Sequence, residues 1–316
     1  MSKPTQDLVA ERAGYSVATV SRALHGDPSV VAETREHVLR VAREVGYQPS
    51  IAGRRLSQGN KAVVGLSLGA RDHAAGRFVS LMHQALSSQL AASGWSVELI
   101  ASAEFNETLD IGGLILVGLA NNDPRLASPV CKRIPTVAIG HDVDCFCVAP
   151  DDQFGGALAA RHLISLGRKR LAVLHTRHPD GSIAKRVSAF LEETRRAGIV
   201  PLEFEAEASL TPSLEGYRTT ASQLKSGKRF DGIFCDTDES AVGGLAAIED
   251  AGLRVPEDVA LVGFDDLPNL AARLTTIRQD FSNMAEAAIK LLAEAKLGRA
   301  PRSVLLPVEL IRRQTT

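Results

Sequence analysis

"SVATVSRALHG", residues 16–26, places three hydroxyls (Ser16, Thr19, Ser21) and one arginine (Arg22) on a short stretch in which Val17, Val20, Ala23 and Leu24 recur at helical spacing. Ser16 is a natural N-cap, and His25-Gly26 with Asp27-Pro28 close the segment. So many hydrogen-bonding groups on so small a helix call for a partner outside it. Short side chains at a helix N-terminus suit phosphates, and an arginine one turn past Ala18 can present a bidentate fork to guanine. A solvated surface helix with a serine cap has the same letters, so the neighbouring segments have to decide.

They do. Asp7 to Ala13 reads as a helix ended by Gly14, and Glu33 to Val45 as another, with Val38, Leu39, Val41, Ala42 and Val45 as its apolar stripe. Gly46 stops that helix and Pro49 forbids its continuation. Two helices joined by a tight turn and braced by a third make a helix-turn-helix over residues 1–49. Residues 50–60, "SIAGRRLSQGN", are polar, with Ile51 and Leu56 as the large apolar side chains, and read as a linker of marginal helix propensity.

From Lys61 the pattern changes to strand, helix, strand. The runs "AVVGLSL", "SVELIA", "GGLILVG", "IPTVAIG", "LAVLH", "FDGIFC" and "VALVGF" alternate with amphipathic stretches such as Phe78–Ser93, Phe154–Leu166, Lys185–Ala197 and Glu239–Ala251. Continuous apolar strands between helices indicate parallel sheets covered on both faces. The number of strands suits two doubly wound halves, whose ligands sit at the carboxyl ends of strands. Between "SVELIA" and "GGLILVG" only "SAEFNETLDI" remains, room for at most one or two helical turns, so the expected covering helix is truncated there.

At 316 residues the chain is long enough for two or three domains, and its net charge of −1 carries no global basic field. The first 60 residues hold 8 Lys+Arg against 6 Asp+Glu, or +2, which leaves −3 for the rest: a tilt that permits nucleic acid without announcing it. No basic region followed by an apolar run opens the chain, and Gly113–Ala120 is too short to span a bilayer, so a cytoplasmic protein is expected. Cys131, Cys145, Cys147 and Cys235 form no dense disulfide framework.

The stretch "AERAGYSVATVSRALHGDPSVVAETREHVLRVAREVGYQPSIAGRRL" resembles the DNA-binding headpiece of the lactose/galactose repressor family, LacI/GalR. The matches are Val9-Ala10, Ala13-Gly14, Ser16 through Arg22, Thr34-Arg35, Gly46-Tyr47 and Pro49. Further on, "PDDQFGGALAARHLISLG", "DTDESAVGGLAAIEDAGLRVPEDVALVGFDDLP", "LTTIRQD" and "LPVELIRR" resemble that family's effector-binding core. The resemblance implies an α/β protein with an N-terminal three-helix helix-turn-helix headpiece, a hinge helix over 50–60, and two Rossmann-like subdomains of the periplasmic-binding-protein type. The first subdomain would span about 61–148 and 278–302, the second about 149–277 and 303–316, with crossing strands near 145–150, 274–280 and 300–308.

The same resemblance implies a sequence-specific DNA-binding regulator, a repressor, that is a homodimer governed by a small carbohydrate-like effector. Thr5, Ser16, Val17, Ala18, Thr19, Ser21, Arg22, Thr34, Arg54 and Leu56 would meet operator DNA, Leu56 as a minor-groove wedge of the hinge helix. Arg186 and Phe190 match the family's Arg-x-x-Gly-Phe, with Ala189 for glycine. Asp238 matches the Asp of Asn-Asp-x-x-Ala, with Thr237 for asparagine. Phe78, Arg77, His141, Arg186 and Asp238 are therefore the expected effector contacts, Asp238 having the second option of serving its own helix N-terminus. Gly76-Arg77 in place of Asn-Pro raises an anionic ligand as an option.

Other departures concern stability. Leu8, Tyr15 and Val31 replace an acidic, a small β-branched and a serine residue, and Gly53 replaces an alanine. Val31 cannot cap the third helix, a loss of about 1 kcal/mol. "GHDVDCFC" (140–147) contains metal-ligand residue types, but its spacing matches no structural zinc pattern, so neither metal nor cofactor is expected. No Walker loop, dinucleotide fingerprint or nucleophile elbow points to an enzyme. The alternative is a sugar-binding protein with the same core and no DNA regulation.

Overall fold

The computed structural model describes residues 5–24, 29–47, 63–69, 76–101, 104–105, 109–119, 122–177, 181–209, 211–270 and 272–316. The linker at 50–60, with Arg54 and Leu56, lies outside the described residues. The chain divides into two units: Met1–Ala62 with Gly94–Ser96, and Val63–Ser93 with Val97–Thr316.

The first unit holds α1 (Gln6–Ala13), α2 (Val17–Leu24) and α3 (Ala32–Glu44), each packed against the other two. Thr5 caps α1 by accepting the Leu8 N–H at 3.3 Å, and Gly14, at φ 72°, ends it in the left-handed conformation that favours glycine. Ser16 Oγ accepts the Thr19 N–H at 3.1 Å at the start of α2, as its position in the sequence requires. Val31 precedes α3 with no side-chain cap. Val9, Val20, Ala23, Val30, Val38 and Val41 form the core, a small one built largely of valine and alanine.

The second unit contains two six-stranded sheets, in order β11-β5-β4-β3-β1-β2 and β12-β10-β9-β8-β6-β7. The strands of the first are β1 (Val63–Ser67), β2 (Ser96–Leu99), β3 (Gly113–Leu116), β4 (Thr136–Ile139), β5 (Phe146–Pro150) and β11 (Ser303–Leu306). The second has β6 (Leu171–Thr176), β7 (Leu202–Ala206), β8 (Gly232–Cys235), β9 (Ala260–Asp265), β10 (Thr275–Arg278) and β12 (Glu309–Ile311). Pairings run parallel in both, with β12 antiparallel to β10. Strands β3, β4, β5, β8 and β9 are buried along their whole length, the reason they read as unbroken apolar runs.

Helices α4 (Arg77–Ala92) and α11 (Phe281–Lys296) pack together on one face of the first sheet. The short helices α5 (Pro124–Ala127) and α6 (Pro129–Arg133), with Phe105 and Leu109, cover Leu114 and Leu116 on the other. The described residues between β2 and β3 contain no α-helix, in line with the short spacing there. On the second sheet, α7 (Asp152–Ser165) and α8 (Gly181–Arg196), the latter through Phe190, close over Val173, Phe234 and Phe264. On its opposite face α9 (Pro212–Lys225) pairs with α10 (Asp238–Asp250), around Leu174, Ile233, Ile248 and Leu261.

The chain crosses between subdomains after β5, after β10 and after β11. This corrects the expected boundary at 302/303: β11 pairs with β5, Ser303 opposite Cys147, so residues 303–306 belong to the first subdomain and the last crossing falls at 307–308. Likewise β5 extends the first subdomain to Pro150.

Candidate functional site

Two candidate surfaces emerge, one in each unit. In the first, α2 buries Val20 and Ala23 and leaves Ser16, Val17, Ala18 and Arg22 exposed, with Thr19 and Ser21 half-buried. Val17 is 44% exposed, an apolar side chain set among polar ones on the outward face. Ser16 and Thr19 share a hydroxyl contact of 2.9 Å. Thr34 is half-buried in the first turn of α3. The side chains singled out on α2 are therefore presented together, with Thr5 at the N-terminus of α1.

In the second unit a cavity of about 1090 Å³ opens between the carboxyl ends of the two sheets. Arg186 forms its polar floor. It is 4% exposed, and its backbone packs directly against Gly156 of α7. There Gly156 has no Cβ, which would overlap the Arg186 carbonyl oxygen. The guanidinium lies 3.7 Å above the Phe264 ring centroid. Its Nε donates to Asp152 Oδ1 at 2.6 Å, and its Nη1 donates to the Asp236 carbonyl at 2.9 Å and to Asp265 Oδ1 at 3.2 Å. Nη2 makes no hydrogen bond to the described protein and remains available.

The two carboxylates respond differently to this one cation. Burial works against ionisation of Asp152, but the Arg186 charge and hydrogen bonds from His141, Arg186 and Ser182 hold it below the ordinary carboxylate range. Burial pushes Asp265 well above that range in spite of Arg186, with Asp238 and Asp152 adding negative charge nearby. Asp265 ends β9 at φ 118° and Asp266 follows at φ 59°, a non-glycine pair in left-handed territory, where strain marks functional positions. Gln279 Nε2 donates to Asp265 Oδ1. Across the opening, His141 Nε2 meets Asp152 Oδ2 at 2.7 Å and Lys185 Nζ meets Asp142 Oδ2 at 2.9 Å, each pair joining one subdomain to the other.

Of the expected cleft residues, Phe78, His141 and Arg186 line the cavity together. Arg77 does not: its side chain is exposed, and its backbone N–H donates to Glu239 Oε2 at 3.3 Å. Asp238 does not either, and this is a correction. Its carboxylate is fully buried, accepting the Leu267 N–H at 2.7 Å and the Thr276 hydroxyl at 2.6 Å, in space left by Gly263. Thr237, beside it, caps α10 in a reciprocal capping box with Ser240 and lines the cavity. Burial raises Asp238 to about 6, against the pull of those two hydrogen bonds. On the second subdomain the described acidic residue that lines the cleft is Asp265, which is not among the contacts expected from the sequence. The signal for it was an Asp-Asp pair at the carboxyl end of a buried strand, where doubly wound folds place ligands.

Cys147 is buried on β5, and Cys131 and Cys145 line the cavity. Among the described residues no group of three or more His, Cys, Asp or Glu could hold a metal ion. No described helix is long and apolar enough to cross a membrane.

Residues 6–50 match the model for bacterial regulatory proteins of the lacI family, and residues 160–316 match a periplasmic binding protein-like domain. The chain is 30% identical over 337 residues to the HTH-type transcriptional regulator reg1 of Streptomyces lividans, covering 97% of this chain and 95% of that protein. It is 28% identical over 325 residues to the lactose operon repressor of Escherichia coli, covering 98% and 89%. Among solved structures, the lac repressor dimer bound to operator and the anti-inducer ONPF aligns with a TM-score of 0.72 at 26% identity, over 99% of both chains. A transcriptional regulator CelR–cellobiose complex shares the fold, with a TM-score of 0.71 at 24% identity over 99% and 100%.

Proposed function

Because the chain belongs to the lacI family of transcriptional regulators, we propose that it binds a specific operator through α2 and that a small effector in the core cleft governs that binding. It is a DNA-binding regulator, a repressor, rather than a binding protein with the same core and no DNA function: one chain carries both the helix-turn-helix unit and the cleft. The observation that carries this reading is the outward face of α2, where Val17, Ala18 and Arg22 are exposed together while Val20 and Ala23 anchor the helix.

Arg22 serves as the base-reading fork, and Thr5, Ser16, Thr19, Ser21 and Thr34 position the unit on phosphates. Leu56 of the linker extends the contact into the minor groove, and Arg54 beside it takes phosphate. Operators of two half-sites match a homodimer, the state named for the lac repressor structure. The effector is carbohydrate-like. Held by Arg186 and Asp265, it favours one relative orientation of the subdomains, and operator affinity follows by linkage. The relatives are regulators, so we assign no catalytic role and place the protein with them in the cytoplasm.

Selection of binding sites from random duplex DNA, followed by fluorescence anisotropy, tests the proposal. A palindromic site bound at least a thousandfold more tightly than random DNA is expected at physiological salt. Equal affinity for both would remove it.

A further inference from the structure

We propose that the second subdomain carries a separate binding site for an organic phosphate, a phosphate monoester on a planar apolar group, at the end of its sheet opposite the effector cleft. The site shares no residue with the lining of that cleft.

Three connections meet there: 166–170 leads into β6, 226–231 into β8 and 251–259 into β9, and these strands lie side by side. Between the connections opens a cavity of about 410 Å³. Leu224, Phe230, Leu253 and Val259 give it an apolar floor, and Arg168, Arg170 and Arg229 line it as well. Its volume lies in the lower part of the range of about 300–1,000 Å³ that small ligands occupy. Guanidinium groups around an apolar floor suit a planar body that carries an anion.

The charge here is local. The chain as a whole has a net charge of −1, yet residues 167–170, 225–231 and 251–258 hold seven cationic side chains against three carboxylates. Helices α7, α9 and α10 all end at this face. Each C-terminus is equivalent to about half a negative charge, so the three absorb roughly one and a half of the cationic excess. More than half of it is left over.

The carboxylates are engaged and the cations are not. Asp231 Oδ1 accepts the Lys169 and Arg170 N–H groups at 3.1 and 2.9 Å. Arg254 forks both Asp258 oxygens at 3.0 Å. Lys169, Lys228 and Arg229 are exposed, and Arg229 donates to the Lys228 carbonyl at 3.1 Å rather than to a carboxylate. Arg170 comes no closer to Asp231 Oδ2 than 3.5 Å. Arg168 is half-buried, and its two terminal nitrogens donate to the Glu257 and Pro256 carbonyls at 3.1 and 2.6 Å. Its Nε is buried with no partner among the described residues. A buried donor without an acceptor costs stability that an incoming anion can return. Three guanidinium groups also match the three outer oxygens of a phosphate monoester better than the two of a carboxylate.

Calorimetry on the full chain tests the site with phenyl phosphate, AMP, inorganic phosphate and a hexaglutamate peptide. Phenyl phosphate or AMP should bind roughly tenfold more tightly than inorganic phosphate, through burial of the ring on the apolar floor. The double variant Arg170→Ala, Arg229→Ala changes two exposed side chains. It should keep the wild-type melting temperature and lose roughly tenfold or more in affinity for the organic phosphate. Wild-type affinity in that variant would overturn the site. Equal affinity for organic and inorganic phosphate would overturn the planar group. No binding of phenyl phosphate or AMP would overturn the proposal outright, and hexaglutamate bound in their place would make this face a docking surface for acidic proteins instead.

Discussion

Gly156 on α7 and the carbonyl of Arg186 on α8 meet backbone to backbone: a Cβ at position 156 would lie 2.8 Å from the Arg186 carbonyl carbon and overlap its oxygen. The arginine that organises the cleft is therefore set by a backbone contact to α7, one turn along that helix from its partner Asp152. Gly156→Ala should push α8 outward, cost about 1–3 kcal/mol as overpacking does, and weaken effector response. Urea unfolding and ligand-induced shifts in melting temperature read the two effects. A variant with wild-type response would show that α8 can yield without moving Arg186.

Arg186→Ala leaves Asp152 and Asp265 buried without their cation, and removal of one member of a buried charge cluster costs about 3–5 kcal/mol. The sign with pH is fixed by Asp152. Its value lies below the ordinary one in the folded protein, so its contribution is present above the ordinary carboxylate range and is lost as pH falls through the folded value. Without Arg186 that contribution vanishes, so the deficit of the variant should be larger at pH 7.5 than at pH 3, below the ordinary value of 3.8. Denaturation at the two values checks it, and Arg186→Lys should recover only part of the loss.

Asp238 has the opposite sign. Burial raises it from 3.8 to about 6, so the folded protein binds its proton more tightly than the unfolded chain does. The stability this gives is complete below about 3.8 and lost as pH rises through about 6. Asp238→Asn should flatten the fall in melting temperature between pH 4 and pH 7 and leave effector binding unchanged. Loss of effector binding in this variant would return Asp238 to the ligand site.

Val31 is 68% exposed and leaves the N-terminus of α3 without a side-chain cap. Val31→Ser should stabilise the headpiece by about 1 kcal/mol, measured as slower amide exchange in α3. An unchanged exchange rate would mean that backbone or solvent already satisfies those N–H groups.

On DNA, Arg22→Ala should weaken the selected operator by about 1–3 kcal/mol and relax discrimination at one base pair. Leu56→Ala should reduce bending and operator affinity and leave random-sequence binding nearly unchanged. Anisotropy on both DNAs, with a bending assay, distinguishes the two. Equal losses on selected and random DNA for both variants would refute the roles assigned.

The fold was legible where burial writes itself into sequence. Strands such as β3 and β9 are buried on both faces and stand out as unbroken apolar runs. Of the edge strands, β2 is legible as "SVELIA", but β7 and β12 are not: β7 reads "LEFEA", with Glu203 and Glu205 exposed, and β12 is three residues long. The misplaced crossing at 303 has the same origin, since "SVLL" in β11 alternates exposed and half-buried residues and nothing in it says which sheet it joins. Arg186 was found because its type and helix were visible together. Asp238 misled because a carboxylate at a helix start looks the same whether it turns to the ligand or to the neighbouring strand, and only Gly263, 25 residues later, decides the direction.

Asp152 lies just past the first crossing between subdomains and Gln279 just before the second, and both belong to the network around Arg186 and Asp265. A ligand held there, as proposed, would sit beside the segments that join the subdomains, where any turn of one against the other has its shortest lever arm. A rotation that shifts these atoms by a fraction of an ångström carries the distant edge of each subdomain several times as far. Such a ligand would keep one set of hydrogen bonds while serving as the fulcrum of that turn.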